Sequence, residues 1–346
     1  MPTTVVTGAS SFIGFHIVRH FARSGHKVIA THTKPISEYT GLSAIRLHRL
    51  KKIASLVKLD IQDADRMSSL IKTTRPDYWV HHAGYANPGS NPDYDFQRSI
   101  EINVNPLLGL YPQLNKTKAA ILITGTAEEY GPKNTGISED DVCLPNTPYG
   151  LSKLTETLTA RQLALRHQVP TRVIRVLNPI GPLDSAKKII PIVMDKLHLS
   201  EPIDLSPCLQ ARDFLSVYDL CEGYRLLTKD FSRVIFDTFN LCSGRPIRLR
   251  DVLLRVASLL KADKHLLRFN AIKARPFEPQ ILYGSNRKAS RFLGWRWKPP
   301  LEAIPSLIPP SLHGHPCQHS HQNAKGLSRN KNHLDTCDTL PSQYCP

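Results

Sequence analysis

The chain has 346 residues, 45 Lys and Arg against 29 Asp and Glu, and a formal net charge of +16. With 41% apolar and 21% charged residues it is of soluble-globular type, and no apolar run reaches the roughly 18 residues that a transmembrane helix needs. Met1-Pro2-Thr3-Thr4-Val5-Val6-Thr7 lacks the basic and long apolar regions of a secretory signal, so the seven cysteines, which form no CxxC pair, read as reduced thiols of a cytosolic protein.

Thr3–Thr7 reads as a buried strand, Phe12–Ser24 as an amphipathic helix and Lys27–Thr31 as a second strand. Strand, helix and strand in that order make a βαβ unit, which demands a parallel sheet and a right-handed crossover. The rhythm continues through short strands at Ala54–Leu59, Tyr78–Ala83, Ala119–Thr124 and Thr171–Val176, with Tyr149–Arg166 the clearest later helix. After Asn178 the prolines at 179, 182, 191, 202 and 207 break the chain into pieces suited to covering a substrate. Strand-like Phe214–Val217 and Phe236–Leu241 follow, then a helix at Leu249–Leu260. Beyond Pro309 the composition is too poor in apolar residues to fold alone. That stretch carries His313, His315, Cys317, His319 and His321 at every second position, read as an adventitious metal binder with nothing to pin. Residues 1–58 hold nine Lys or Arg and one acid, Glu38. A solvated basic surface explains this without nucleic acid, for which no finger, homeodomain or RNP-like pattern stands, and an acidic small ligand is a further option.

Three constellations carry chemistry. The first strand runs into Thr7-Gly8-Ala9-Ser10-Ser11-Phe12-Ile13-Gly14. A glycine turn between strand and helix leaves backbone N–H groups at the helix N-terminus, where a pyrophosphate sits well. Gly8 permits the turn and Gly14 close helix packing, while Ser11 stands where glycine would allow the nearest approach. The second strand ends Ala30-Thr31-His32-Thr33-Lys34 without the acid that binds the ribose 2′-hydroxyl of NAD; Lys34, and with it His32, would welcome the 2′-phosphate, which favours NADP(H) over NAD(H). Tyr149 and Lys153 then lie four apart on one helix face, downstream of Thr126. The ammonium lowers the phenol's pKa so that it can exchange a proton with a carbinol or carbonyl oxygen, which Thr126 can hold.

These residues together resemble the extended short-chain dehydrogenase/reductase family of nucleotide-sugar enzymes, over roughly residues 3–306. Thr7–Gly14 is similar to its TGxxGxxG loop, with Ser11 the departure. Asp60-Ile61 resembles the acid that follows the third strand and contacts adenine. His81-His82-Ala83-Gly84 is similar to its HxAA turn, with Gly84 in place of the second alanine. Asn103-Val104 and Thr126-Ala127-Glu128-Glu129-Tyr130-Gly131 resemble two further motifs. Arg175–Pro182 is similar to the RxxNxxGP stretch whose Asn, here Asn178, contacts substrate. Arg212-Asp213-Phe214 resembles the motif whose Arg meets the nucleotide diphosphate. Arg275-Pro276-Phe277-Glu278 resembles RPGD with two departures, and Leu293-Gly294-Trp295 matches the LGW near the domain end. Asn240–Pro246 and the surroundings of Arg275 look most like GDP-6-deoxy-D-mannose reductases.

The resemblance implies an α/β protein whose Rossmann-like doubly wound parallel sheet (residues 1–176 and 211–240) carries a smaller C-terminal substrate-binding lobe (177–210 and 241–306) and a disordered tail (307–346). It implies dinucleotide binding by Gly8, Ser10, Ser11, Phe12, Ile13, Gly14, His32, Lys34, Asp60, Ile61, His82, Ala83, Gly84, Asn103, Tyr149 and Lys153. Substrate would meet Thr126, Ala127, Glu128, Asn178, Arg212 and Arg275, with Thr126, Tyr149 and Lys153 catalytic and no metal. The reaction implied is reduction of a 4-keto-6-deoxy nucleotide sugar by NADPH in a cytoplasmic homodimer, paired through helices near 91–112 and 149–166. Two alternatives stand beside it: an epimerase or dehydratase that cycles bound NAD, for which Glu128 and Glu129 speak, and a non-catalytic dinucleotide-sensing or RNA-associated protein, for which Ser11 and the basicity speak.

Overall fold

A computed structural model of the protein describes residues 1–86, 93–133, 135–229, 231, 234–274 and 280–307. β1 (Thr3–Val6), β2 (Lys27–His32), β3 (Ser55–Lys58), β4 (Tyr78–His81), β5 (Ala120–Thr126) and β6 (Thr171–Val176) join the strand Phe236–Leu241 in one sheet. The order across it is Phe236–Leu241, β6, β5, β4, β1, β2, β3, and every pairing is parallel. All six residues of β6 are buried, as expected of a strand covered on both faces. Sequence order reverses between β1 and β4, which opens a crevice above their C-terminal ends.

The helices are α1 (Phe12–Arg23), α2 (Gly41–Leu50), α3 (Ala64–Thr74), α4 (Phe96–Asn103), α5 (Asn105–Thr117), α6 (Pro148–His167), α7 (Ile189–His198), α8 (Val217–Leu227), α9 (Leu249–Leu259) and α10 (Arg287–Leu293). On one face of the sheet, Phe15, Ile17 and Phe21 of α1 pack with Leu47 of α2 and Leu220 and Tyr224 of α8. A fully buried Phe there contributes about 2 kcal/mol. On the other face, Met67 and Ile71 of α3 pack with Leu107 and Tyr111 of α5 and Leu163 of α6, against Trp79 of β4. A third core belongs to the smaller lobe, where Val193 and Leu197 of α7 meet Leu253 and Val256 of α9 and Ile304. Among the described residues, no helix is long and apolar enough to cross a membrane.

Three boundaries differ from those read in the sequence. β5 runs on to Thr126, because Gly125 and Thr126 still pair with Arg175 and Val176. Only Leu215–Ser216 of the expected Phe214–Val217 strand is extended; Ser216 accepts a hydrogen bond from the Tyr218 N–H and starts α8 at Val217. Ala211–Asp213 pairs inside the small lobe, antiparallel to Pro246–Arg248 and parallel to Ile281–Leu282. The chain then comes back to the large core: Trp295, 1% exposed, packs there with Ala289 of α10 and donates its indole N–H to the Asp219 carbonyl at 2.9 Å. The tail from 308, with its alternating histidines, lies outside the described residues, as does Arg275 with Phe277 and Glu278.

Candidate active site

β1 delivers the chain to a turn that only glycine fits. Gly8 has φ +73°, and a Cβ there would lie 3.0 Å from the Ala83 backbone; a Cβ on Gly14 would lie 2.3 Å from the Gly8 carbonyl oxygen. The first turn of α1 therefore sits against the turn with its leading N–H groups directed outward. Thr7, fully buried, accepts hydrogen bonds from the N–H groups of His82 and Ala83 at 2.9 Å each and so stitches β1 to the end of β4. Ser11 accepts from the Gly14 N–H at 3.0 Å, and its hydroxyl meets His82 Nε2 at 2.9 Å. The serine that replaces glycine thus caps α1 and is pinned by an imidazole, whose other nitrogen meets Thr124 Oγ1 at 2.9 Å. Phe12 turns its side chain into the core and Ile13 packs against it, which leaves their backbones for a ligand.

At the end of β2 the structure departs from expectation. His32 is buried and its Nδ1 is engaged with the Lys34 carbonyl at 2.7 Å, so it does not stand ready for a phosphate. Lys34 is exposed. The Thr33 and Lys34 N–H groups donate to the Tyr39 phenol oxygen at 3.1 and 3.2 Å, and the Thr33 hydroxyl lies 3.3 Å from it. Arg46 of α2 donates to the Ser10 and Leu183 carbonyls and fastens the glycine turn to the segment that leads into the small lobe. Beyond β3, Asp60 is exposed and accepts from the Gln62 N–H, while Ile61 is buried.

Asn103 is fully occupied at the far side of the crevice. It accepts from the Tyr85 N–H at 2.6 Å and donates to the Tyr85 carbonyl and to Ser152. A Cβ on Gly84 would lie 2.8 Å from Asn103 Oδ1, which explains glycine where the family pattern has alanine.

Thr126 closes β5 and caps the short turn Ala127–Glu129: its hydroxyl accepts from the Glu128 N–H while Glu129 accepts from the Thr126 N–H. The two glutamates then part company. Glu129 is fully buried and also takes the Arg175 guanidinium at 2.8 Å and the Thr157 hydroxyl at 2.9 Å, a structural anchor with its oxygens spent. Glu128 accepts from Thr147, the cap of α6, and burial raises its pKa. The start of α6 is pressed against it, since a Cβ on Gly150 would come within 2.4 Å of the Glu128 carbonyl oxygen. Tyr149 enters the site from that first turn, its ring 6.1 Å from that of Tyr94.

Lys153 follows one turn later and is buried, and it donates to Glu156. The Tyr149 phenol is therefore not lowered on balance. Burial pushes it up to about 12; the pull of Lys153 opposes this, and Glu128, Glu156 and Glu129 add to the rise. Glu156 itself is pushed up to about 7 by burial, against the pull of Lys153. Sequence reasoning missed Glu156, although its place three residues after Lys153 on a helix was the available signal. It missed Tyr39 and Arg46 too, whose partners are remote or lie in an irregular loop.

On the small-lobe side, Asn178 holds a left-handed φ of +27°, and its buried Nδ2 has no hydrogen-bond partner. Arg212 stands on the strand Ala211–Asp213, with one N–H on the Ala211 carbonyl. Asp213 next to it is fully buried and gathers N–H groups of Ser243, Gly244 and Gly284 together with the Ser243 hydroxyl. Among the described residues, no group of three or more His, Cys, Asp or Glu side chains could hold a metal ion.

A family model described as NAD dependent epimerase/dehydratase matches residues 4–242. The chain is 25% identical over 335 residues to UDP-glucose 4-epimerase 2 of Arabidopsis thaliana, which covers 87% of this chain and 92% of that protein. It is 29% identical over 167 residues to dTDP-4-dehydro-6-deoxyglucose reductase of Escherichia coli, covering 47% of this chain and 52% of that one. In fold it is similar to the UDP-glucuronic acid 4-epimerase from Bacillus cereus solved with UDP-glucuronic acid and NAD, with a TM-score of 0.76 at 20% identity and coverage of 88% and 97%.

Proposed function

The chain belongs to the NAD dependent epimerase/dehydratase family, and on that premise we propose that it moves a hydride at a hexose carbon of a nucleotide sugar, with Tyr149 handling the proton. What supports the reading is that Thr126, Glu128, Tyr149 and Lys153 stand where the end of β5 and its capping turn pack against the start of α6. The cradle of Gly8, Gly14 and the α1 N-terminus suits a dinucleotide pyrophosphate, and Asp60 and Ile61 border the place for its adenine. When bound, the nicotinamide supplies or removes the hydride. Tyr149, protonated at neutral pH, gives its proton to a sugar ketone oxygen or takes one from the carbinol in the reverse direction. Thr126 can direct its hydroxyl hydrogen at that same oxygen, and the Lys153 ammonium flanks the phenol. Asn178 and Arg212 would hold the nucleotide diphosphate.

Relatives that span most of the chain are named as a UDP-glucose 4-epimerase and a dTDP-glucose 4,6-dehydratase, reactions with no net redox change, which favours a cycle in which the sugar is oxidised and then reduced again. Glu128, with its raised pKa, is placed to serve such a cycle as a second acid–base group. The second reading is a reductase of the GDP-4-dehydro-6-deoxy-D-mannose type using NADPH; the absence of an acid at the end of β2 speaks for it. A homodimer is part of either reading. Leu151, Leu158 and Leu165 recur every seven residues on α6, 45, 56 and 44% exposed, and Leu108 of α5 is 58% exposed. An apolar stripe of this kind is suited to a partner copy.

The test offers purified protein UDP-glucose, UDP-glucuronic acid, dTDP-glucose and a GDP-linked 4-keto-6-deoxy sugar, each with NAD and with NADPH. C4 inversion or dehydration without net nicotinamide turnover supports the first reading, and stoichiometric NADPH loss with the ketone supports the second. Tyr149→Phe should keep nucleotide binding and lose about 100-fold or more in rate. Dinucleotide binding with no conversion of any sugar would overturn the enzyme in favour of a sensing protein.

A further inference from the structure

We propose that Tyr39 sets the cofactor choice of this chain, because its phenol oxygen fills the ring of donors at the end of β2 that a 2′-phosphate would need. The inference rests on the dinucleotide reading above and goes beyond it, selecting NAD(H) over NADP(H).

Two consecutive backbone N–H groups, of Thr33 and Lys34, donate to the phenol oxygen at 3.1 and 3.2 Å, and the Thr33 hydroxyl, 3.3 Å away, shares a hydrogen bond that either oxygen can donate. Successive N–H groups converging on one point form a concavity for an anion. The phenol behaves as an occupant of such a place: burial raises its pKa, but hydrogen bonds from Thr33, Lys34 and Ser10 prevail and leave it below the usual tyrosine value. The ring is held there from several sides. Pro35 and the short helical turn Ile36–Glu38 bring it back over β2, the His32 ring stands edge-on at 6.0 Å, and Tyr39 packs against the large core. The neighbouring cations do not reopen the site to phosphate. Arg46 donates to the Ser10 and Leu183 carbonyls, and His32 is bound to the Lys34 carbonyl, which leaves Lys34 as the exposed cation beside it.

A 2′-hydroxyl can lie outside this ring as a neutral neighbour of Tyr39. A 2′-phosphate must expel the phenol before it meets the same N–H groups. Tyr39→Phe keeps the ring packing and frees the donors.

The experiment titrates wild type and Y39F by calorimetry with 5′-AMP, 2′,5′-ADP and NADH, the first two differing only in the 2′-phosphate. Wild type is expected to bind 5′-AMP at least as tightly as 2′,5′-ADP. Y39F is expected to shift the ratio about tenfold or more toward 2′,5′-ADP, the worth of one charge-assisted hydrogen bond, with 5′-AMP held within about twofold. Lys34→Ala added to Y39F should return part of that gain. A wild-type preference for 2′,5′-ADP, read independently of any variant, overturns the inference, as does an unmoved ratio in a folded Y39F. NADH binding in either of those cases leaves the dinucleotide reading standing, whereas failure to bind any of the three overturns both.

Discussion

Lys153 has two claimants. Its place one turn after Tyr149 makes it the natural source of positive charge for the phenol, yet Glu156 one turn further on takes the ammonium, and all three are drawn away from water. A carboxylate at that position weakens the field that Lys153 exerts on Tyr149 and so keeps the phenol in its acid form. Glu156→Gln removes the negative charge while keeping the side chain's shape. The limb of the rate–pH profile that reports the phenol should then move to lower pH, and a limb that stays in place would show that Glu156 does not act on Tyr149. The same change leaves a buried ammonium without its counter-charge, a loss of about 3–5 kcal/mol readable as a lower denaturant midpoint. Motif spacing was enough to put Gly8 and Gly14 at the turn between β1 and α1, and Thr126, Tyr149 and Lys153 where β5 ends and α6 begins. It was blind to Tyr39, because what faces that phenol depends on how the loop after β2 turns back, and no periodicity encodes that.

At the scale of elements, the helix whose buried face builds the site also carries an apolar stripe outward. α6 turns Ser152, Lys153, Glu156 and Thr157 inward and Leu151, Leu158 and Leu165 to solvent. Such a helix has little net amphipathicity, and the structure starts it one residue before the expected Tyr149, with Thr147 as its cap and Pro148 in its first turn. Leu158→Glu should therefore leave the monomer folded and shift the elution volume and light-scattering mass from dimer toward monomer; a monomeric wild type would remove the pairing from the proposal. Unlike the short strands of the smaller lobe, the seven strands of the main sheet were legible in chain order, because the apolar runs alternate with helical stretches. Their ends were less so. Thr126 belongs to β5 only through pairing with Val176, and a partner fifty residues away leaves no trace in local sequence.

Over the whole molecule, acid should be the common weakness. His16, His81 and His82 are lowered from 6.5 to about 4, 3 and 4, in each case chiefly by burial, with Lys153 adding to the effect on the last two. A histidine held neutral inside the fold contributes stability that is complete above pH 6.5 and lost as pH falls toward its native value near 4. For His16 the shift corresponds to about 3 kcal/mol. Carboxyls raised by burial, Glu156 among them, pull the other way over the same range, so the check is a difference: between pH 7 and 4 His16→Phe should lose less melting temperature than wild type, and parallel curves would contradict the burial of that ring. The change of rhythm after Asn178 marks where the chain leaves the main sheet, since β6 ends at Val176 and the short strands that follow pair among themselves. The return of the chain was not visible, because α10 and Trp295 look like ordinary core and nothing local says whose.

The chain crosses between the two bodies more than once: it leaves after β6, comes back for α8 and the strand Phe236–Leu241, leaves again, and docks a last time where α10 and Trp295 meet the core built on α1 and α8. Each crossing ties the lobe to the larger body, and deleting the last of them leaves that body with an unfilled berth for an indole.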